Sequence, residues 1–340
     1  LQRPGQPGDL AAGPACRHLS ENAAVSVRAY APACIGNFAA GFDLLGAAIA
    51  PLDGSPWGDV VAAERAAVPS LAVAGPFAAQ MPADPGENLV LRSYLLYREA
   101  VEAKGAACPP LAFRLTKNLP RCSGLGSSAC SIAATLAACQ HLLGEPLSVP
   151  ELFAVAGRAE GFVSGSIHLD NVVPILIGGL QLMVPGDGLP EARSLPWPED
   201  LVLVLLVPAF ELATVRSRQV LPPGFTLAET LGFAENLAGF VQALATGDRA
   251  LLGRCLRDVL TEPYRAALVP GFRAVQAAAL ARGALGCGLS GSGPAIFAVA
   301  ESPEHGLEVG EAMRRALAEV GLASQVRLCG LDRQGARVLE

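Results

Sequence analysis

Pro120-Arg-Cys-Ser-Gly-Leu-Gly-Ser-Ser-Ala-Cys130 is the stretch on which the reading of this chain turns. Gly124 and Gly126 let the backbone approach a ligand closely with its N–H groups turned inward. Ahead of the loop, Leu111 to Thr116 alternates Leu, Phe and Leu on one face with Arg114 and Thr116 toward the other, as a half-buried strand does. Behind it, Ile132, Leu136, Cys139 and Leu143 recur at helical spacing, with Ser127 and Ser128 at the start and Gly144 and Pro146 as the stop. Strand, glycine loop and helix in that order aim the positive end of a helix dipole at the loop, which makes an anion site suited to phosphate. The hydroxyls of Ser127 and Ser128 can hydrogen-bond a phosphate or ligate a magnesium ion that bridges phosphates. On the loop alone, the alternative reading is a serine pair capping an ordinary tight turn.

The class of phosphate site is narrowed by a count. Lys104 and Lys117 are the only lysines, one followed by Gly and the other by Asn, so no GxxxxGK[ST] loop exists. A protein-kinase lysine with an HRD loop is equally missing. Gly124-Leu-Gly126-Ser-Ser-Ala129 does satisfy GxGxx[G/A], with Glu145 downstream, but Pro120, Arg121 and Cys122 separate it from its strand, so a nicotinamide oxidoreductase stays open only as a rival. No GxSxG elbow frames Ser127, Ser128, Ser290 or Ser292. A second glycine cluster, Gly286-Cys-Gly-Leu-Ser-Gly-Ser-Gly-Pro294, precedes a strand rather than a helix. Two such clusters in separate halves point to a cleft between them.

The length of 340 residues predicts about two domains, and 51% hydrophobic against 16% charged residues excludes a disordered chain. A net charge of −6 argues against a nucleic-acid partner. The most apolar run, Leu201 to Phe210, is ten residues long and contains Pro208, so no membrane span is expected. Residues 1–24, rich in Pro, Gly and Ala without a continuous apolar core, read as a disordered extension rather than a secretory signal. Nine cysteines without a CxxC pair read as reduced thiols, mostly small core hydrophobes, in a cytoplasmic protein.

Val25 to Tyr30 and Asp59 to Ala63 read as strands flanking a loop system from Ala31 to Gly58. Glu151 to Gly161 reads as a helix and Ile175 to Val184 as a strand. Pro185, Gly186, Gly188, Pro190, Pro196 and Pro198 mark a linker over 187–200. It separates an N-terminal domain at 25–186 from a C-terminal one at 201–340, in which Leu201 to Val207 and Pro294 to Ala300 are strands. Helices are expected at about Glu229 to Tyr264, Phe272 to Arg282 and Leu307 to Val320. Strands mixed with helices in both halves predict a two-lobed α+β protein.

Three segments together resemble the small-molecule kinase family named for galactokinase, homoserine kinase, mevalonate kinase and phosphomevalonate kinase. They are Ala31-Pro32 … Asn37 … Gly41-Phe42-Asp43, then Pro120 … Gly124-Leu-Gly-Ser-Ser-Ala129, then Gly288-Leu-Ser-Gly-Ser-Gly-Pro294. Within the family the closest likeness is to the homoserine-phosphorylating members. It is carried by Glu160 … Ser164-Gly-Ser-Ile-His168-Leu-Asp170-Asn171-Val172, by Thr214 … Arg218 and Glu262-Pro263-Tyr264-Arg265, and by Gly330-Leu-Asp … Gly335-Ala-Arg-Val-Leu-Glu340. The resemblance implies an N-terminal ribosomal-protein-S5-like domain and a C-terminal ferredoxin-like α/β sandwich. It implies a cytoplasmic homodimer that transfers the γ-phosphoryl of ATP to L-homoserine on the way to threonine.

By the same resemblance ATP lies along Pro120, Arg121, Cys122, Ser123, Gly124, Leu125, Gly126, Ser127, Ser128, Ala129 and Cys130, and Ser128 and Glu160 hold Mg2+. A zwitterionic amino acid needs an acid for its ammonium and guanidinium for its carboxylate. Asp43 is the candidate acid, Arg218 and Arg265 the candidate clamp, and Asn37, His168, Asn171 and Thr214 complete the polar contacts. Asn171, Arg218 and Glu160 are the catalytic candidates. Related sugar and mevalonate kinases place a catalytic Asp where Asn171 stands, and phosphoryl transfer needs positioning and charge stabilisation more than a strong base, so no obligatory general base is expected. Two departures, Cys34-Ile35-Gly36 and Arg121-Cys122, are expected to touch loop packing and nucleotide affinity and not the residues assigned to chemistry. Cys122 is expected to expose the site to thiol reagents. The rivals are a family kinase acting on an isoprenoid or sugar alcohol, a silent ligand-binding homologue, and the oxidoreductase.

Overall fold

The computed structural model describes residues 26–165, 167–188 and 191–340. The expected extension at 1–24, Ser166 and part of the expected linker lie outside them. In chain order the elements are β1 (Ser26–Gly36), β2 (Leu45–Pro51), β3 (Gly58–Arg65), β4 (Ser70–Ala74), α1 (Leu89–Ala103) and β5 (Leu111–Thr116). Then come α2 (Ser127–Leu142), α3 (Val149–Ser164), α4 (Val172–Ile177), β6 (Leu180–Val184), β7 (Glu191–Leu195) and β8 (Val202–Pro208). The chain continues through α5 (Thr214–Gln219), α6 (Leu227–Thr246), α7 (Arg249–Cys255), α8 (Glu262–Arg265) and α9 (Phe272–Ala281). It closes with β9 (Gly286–Leu289), β10 (Ile296–Ala300), α10 (Pro303–Ala318), β11 (Ser324–Leu331) and β12 (Arg337–Leu339).

The architecture is two-lobed α+β, and the lobes share one twelve-stranded sheet in the order β4-β5-β3-β1-β2-β11-β8-β10-β9. Strand β1 is the seam. Its first half pairs with β3 from Ser26 opposite Glu64 to Pro32 opposite Gly58, and its second half pairs with β2 from Ala33 opposite Ile49 to Gly36 opposite Gly46. The C-terminal lobe reaches back through β11 onto β2 and through β12 onto β1. One apolar cluster runs through both lobes, with the Phe38 ring 5.2 Å from Trp197 and 5.2 Å from Phe297. A second lies between β8, β10 and the helices α9 and α10.

Several expectations need correction. The Gly- and Ala-rich segment at 31–58 contains the end of β1 and all of β2 rather than loops alone. Its small residues are there because partners press close: a Cβ on Gly46 would lie 1.6 Å from the carbonyl oxygen of Asp170. The strand expected over Ile175 to Val184 is a helix, α4, followed by β6. A continuous apolar run does not distinguish a buried strand from a buried helix, and Gly178 and Gly179, both at positive φ, make the break. The long helix expected from Glu229 is three helices, because Gly247 ends α6 in the left-handed region and Asp248 caps α7 by accepting from the Leu251 amide at 2.9 Å. Within the Pro-rich stretch, Glu191–Leu195 forms β7 against β6. The described cysteines are all free thiols. Among the described residues no helix is long and apolar enough to cross a membrane.

Candidate active site

Each glycine loop is shaped by the other. The carbonyl of Gly124 accepts from the Ser290 hydroxyl at 2.5 Å, and the Ala295 amide donates to the Ser123 carbonyl at 3.0 Å. A Cβ on Gly124 would sit 2.6 Å from the Ser290 carbonyl oxygen, so only glycine allows the loops to touch. Gly126, at φ 66°, starts α2 without a side-chain cap, leaving the first-turn amides of the helix to the cavity beside them. The first segment closes the third side: Gly291 donates its amide to the Gly36 carbonyl at 3.0 Å and accepts from Asn37 Nδ2 at 2.9 Å. Here the backbone is tight, with Asn37, Phe38, Ala39, Asp43 and Cys122 all at positive φ. Strain of this kind persists only where surrounding structure enforces it.

The three segments enclose a cavity of about 260 Å³. Asn37, Asp43, His168, Asn171, Thr214, Arg218 and Arg265, the substrate candidates, all line it, together with Glu160 and Asp170. Of the loop residues, Arg121 to Gly124 and Gly126 to Ala129 line it as well, whereas Pro120, Leu125 and Cys130 do not. Leu125 and Cys130 point into the core, where the Cys130 thiol donates to the Ala31 carbonyl at 2.9 Å. They hold the loop from behind.

Asp43 is clasped by Arg218 through two hydrogen bonds of 2.7 and 3.2 Å, with His168 Nδ1 at 3.4 Å. Burial by itself would raise this carboxyl, but the hydrogen bonds and charges of His168 and Arg218 outweigh it and bring it down to about 2. Both guanidiniums lie over the Phe42 ring, Arg218 5.5 Å and Arg265 5.0 Å from its centroid. The ring quadrupole offsets part of the repulsion between their like charges. Arg265 is buried and donates to the carbonyls of Ser217 and Gly291, while Arg218 Nε has no protein acceptor. Deeper in, burial and then the charge of Asp43 push Asp170 up to about 6. Burial and then Asp170 push Glu160 up to about 7.

Two features escape sequence reasoning. Lys117 does not line this cavity. It lies buried beneath the loop, donating to Asp59 Oδ2 at 2.5 Å, to the Ser127 carbonyl at 2.7 Å and to Ser131 Oγ at 3.0 Å. The other is a second pocket of about 190 Å³ that shares Arg121, Ser127 and Ser128 with the first and is walled by Asn88, Leu89 and Phe162. Asn88 caps α1 with its oxygen and leaves Nδ2 buried without a protein partner. The departure at Cys34 also proves closer to the chemistry than expected, since its thiol donates to Asn171 Oδ1 at 3.2 Å.

The pattern of the GHMP kinases N terminal domain matches residues 88–179, and that of the GHMP kinases C terminal domain matches residues 240–319. The homoserine kinase of Cytophaga hutchinsonii is 34% identical, with a TM-score of 0.85 over 94% of this chain and 99% of that one. This chain belongs to the GHMP kinase family. Its fold is shared at lower identity by the mevalonate kinase of L. major, solved with R-mevalonate (18% identity, TM-score 0.62, 88% of this chain and 94% of that one). It is shared too by the Streptococcus pneumoniae phosphomevalonate kinase (13%, TM-score 0.63, 90% and 99%). As a GHMP kinase the protein is a phosphotransferase.

Proposed function

We propose that this GHMP kinase phosphorylates the side-chain hydroxyl of L-homoserine, giving O-phospho-L-homoserine and ADP. The observation that carries the reading is the group of one carboxylate and two guanidiniums, Asp43, Arg218 and Arg265, beside the phosphate loop in one cavity. An isoprenoid or sugar alcohol needs no such set, whereas an amino acid presents an ammonium and a carboxylate to it. The likeness to the Cytophaga hutchinsonii enzyme supports the same acceptor. Binding would open the Asp43–Arg218 pair: Asp43 turns to the ammonium, and Arg218, joined by Arg265, turns to the carboxylate.

ATP would lay its phosphates along the amides from Ser123 to Ala129 and its nucleoside in the adjoining pocket, where the free Nδ2 of Asn88 offers a hydrogen bond. Ser128 and Glu160 face the same cavity, and one hydroxyl with one carboxylate suits Mg2+, which takes few protein oxygens and keeps water and phosphate for the rest. The ion would supply charge neutralisation between the phosphates. Asn171 orients the attacking hydroxyl, and Arg218 and the loop amides stabilise the charge that spreads over the transferred group.

The test is ADP release by the purified protein with Mg·ATP and, in separate reactions, homoserine, serine, threonine and mevalonate. Homoserine-dependent ADP is expected, and its absence would sink the assignment.

A further inference from the structure

Cys34 sits at the end of β1 with no exposed surface, and it touches two parts of the machinery at once. Its amide donates to the Leu125 carbonyl of the phosphate loop at 3.1 Å, and a Cβ on Gly126 would meet its sulfur at 2.4 Å. Its thiol donates to Asn171 Oδ1 at 3.2 Å, across 137 residues of chain. On the far side of that amide, Asn171 Nδ2 donates to Asp170 Oδ2 at 3.0 Å, and the same oxygen accepts the Asn37 amide at 3.3 Å.

An asparagine amide can turn over, exchanging its donor and acceptor ends at little steric cost. Asp170 holds the nitrogen end of the amide only while its carboxyl is ionised, and burial raises that carboxyl to about 6. The thiol of Cys34 is different. Burial, then the charge of Asp170, raises it well above its ordinary value, so it keeps its hydrogen and remains a donor.

We infer that Cys34 is a positioning residue, a fixed donor that locks the Asn171 amide with its oxygen toward β1 and registers it against the phosphate loop. The amide nitrogen then gives one hydrogen to Asp170 and keeps the other for the acceptor hydroxyl. The inference rests on the proposed role of Asn171 in phosphoryl transfer.

Cys34→Ala and Cys34→Ser, each compared with wild type on whichever acceptor of the panel turns over, separate donor from filler. Cys34→Ala is expected to lower kcat about tenfold, with KM for ATP and acceptor within about twofold, and Cys34→Ser, which restores a donor, to recover most of the rate. Wild-type kcat in Cys34→Ala, or equal loss in both variants, would overturn the inference. A second readout needs no acceptor. In protein labelled with 15N-asparagine, the Asn171 side-chain amide, identified by its loss in Asn171→Ala, should shift or broaden in Cys34→Ala and hold its place in Cys34→Ser. An unmoved resonance in Cys34→Ala would refute the lock even if homoserine proved to be the wrong acceptor.

Discussion

Gly36 leaves no room for a side chain. A Cβ there would lie 2.7 Å and 2.8 Å from the amide atoms of Asn171 and 2.9 Å from Asp170 Oδ2. These neighbours are side chains at the cavity edge rather than backbone, so the protein can accommodate Ala by moving them, and the cost falls on geometry more than on folding. Gly36→Ala is therefore expected to reduce kcat about 10- to 100-fold while shifting Tm by only a few degrees, checked by steady-state kinetics beside thermal melting. At this scale much of the site was legible. Asn37, Asp43, Asn171, Arg218 and Arg265 stand in recognisable segments, and the cavity gathers them. Cys34 was not, because a thiol reads as a small hydrophobe until its acceptor, far along the chain, is seen. Lys117 did leave a trace: the alternation that puts Leu111, Phe113 and Leu115 on the buried face of β5 puts Lys117 there next.

Elements hold the site through two buried polar clusters. Under the glycine loop, Asp59 on β3 accepts from Lys117, from Ser131 Oγ at 2.7 Å, and from the amides of Asn118 and Leu119 at 2.9 and 3.2 Å. Thus β3, the end of β5 and the first turn of α2 are bolted together by one carboxylate and one ammonium. Removing the cation strands a buried anion, so Lys117→Met is expected to cost about 3–5 kcal/mol of stability, measurable by urea unfolding, and to weaken ATP binding with it. The second cluster supports α8, which carries Arg265. Glu262 accepts from Arg273 at 2.8 Å and Gln276 at 3.0 Å through Oε1, while Oε2 is buried without a partner. Burial raises this carboxyl from 4.5 to about 7. Between those values the unfolded chain binds fewer protons than the folded one, so stability falls as pH rises across that window. Glu262→Gln lacks the proton, and the difference in Tm, variant minus wild type, is expected to grow more positive from pH 5 to pH 8. A flat difference would show that Glu262 ionises freely in the fold. Apart from the buried-face position of Lys117, neither cluster has a local signature, because each draws its members from elements that are neighbours only after folding. Helix α4 was misread for the opposite reason, since its local pattern fits two structures.

Across the whole molecule, the sheet order weaves the lobes together. Strand β1 borrows β12 at Arg28, Ala29 and Tyr30, and β2 borrows β11 at Ile49, Ala50 and Pro51. Phe38, from the N-terminal half, packs on Phe240 and Phe297 from the C-terminal half. Expressed as separate chains, residues 26–200 and 201–340 are each expected to lack a cooperative thermal transition, because each exposes strand edges and half of a core. Mixing the two should restore a transition and activity together, as circular dichroism and the ADP assay can follow. Composition and motifs announced two lobes, yet they carried no sign of this exchange, since long-range strand pairing leaves no periodic mark. The pairing of β12 with β1 also sets an order of events during synthesis. The strand that ends in the Gly36–Asn37 turn leaves the ribosome before the segment that covers one of its edges, Arg337–Leu339. Until that segment appears the edge stays uncovered, so a chain cut short before β12 is expected to aggregate and to be degraded more readily than the full one.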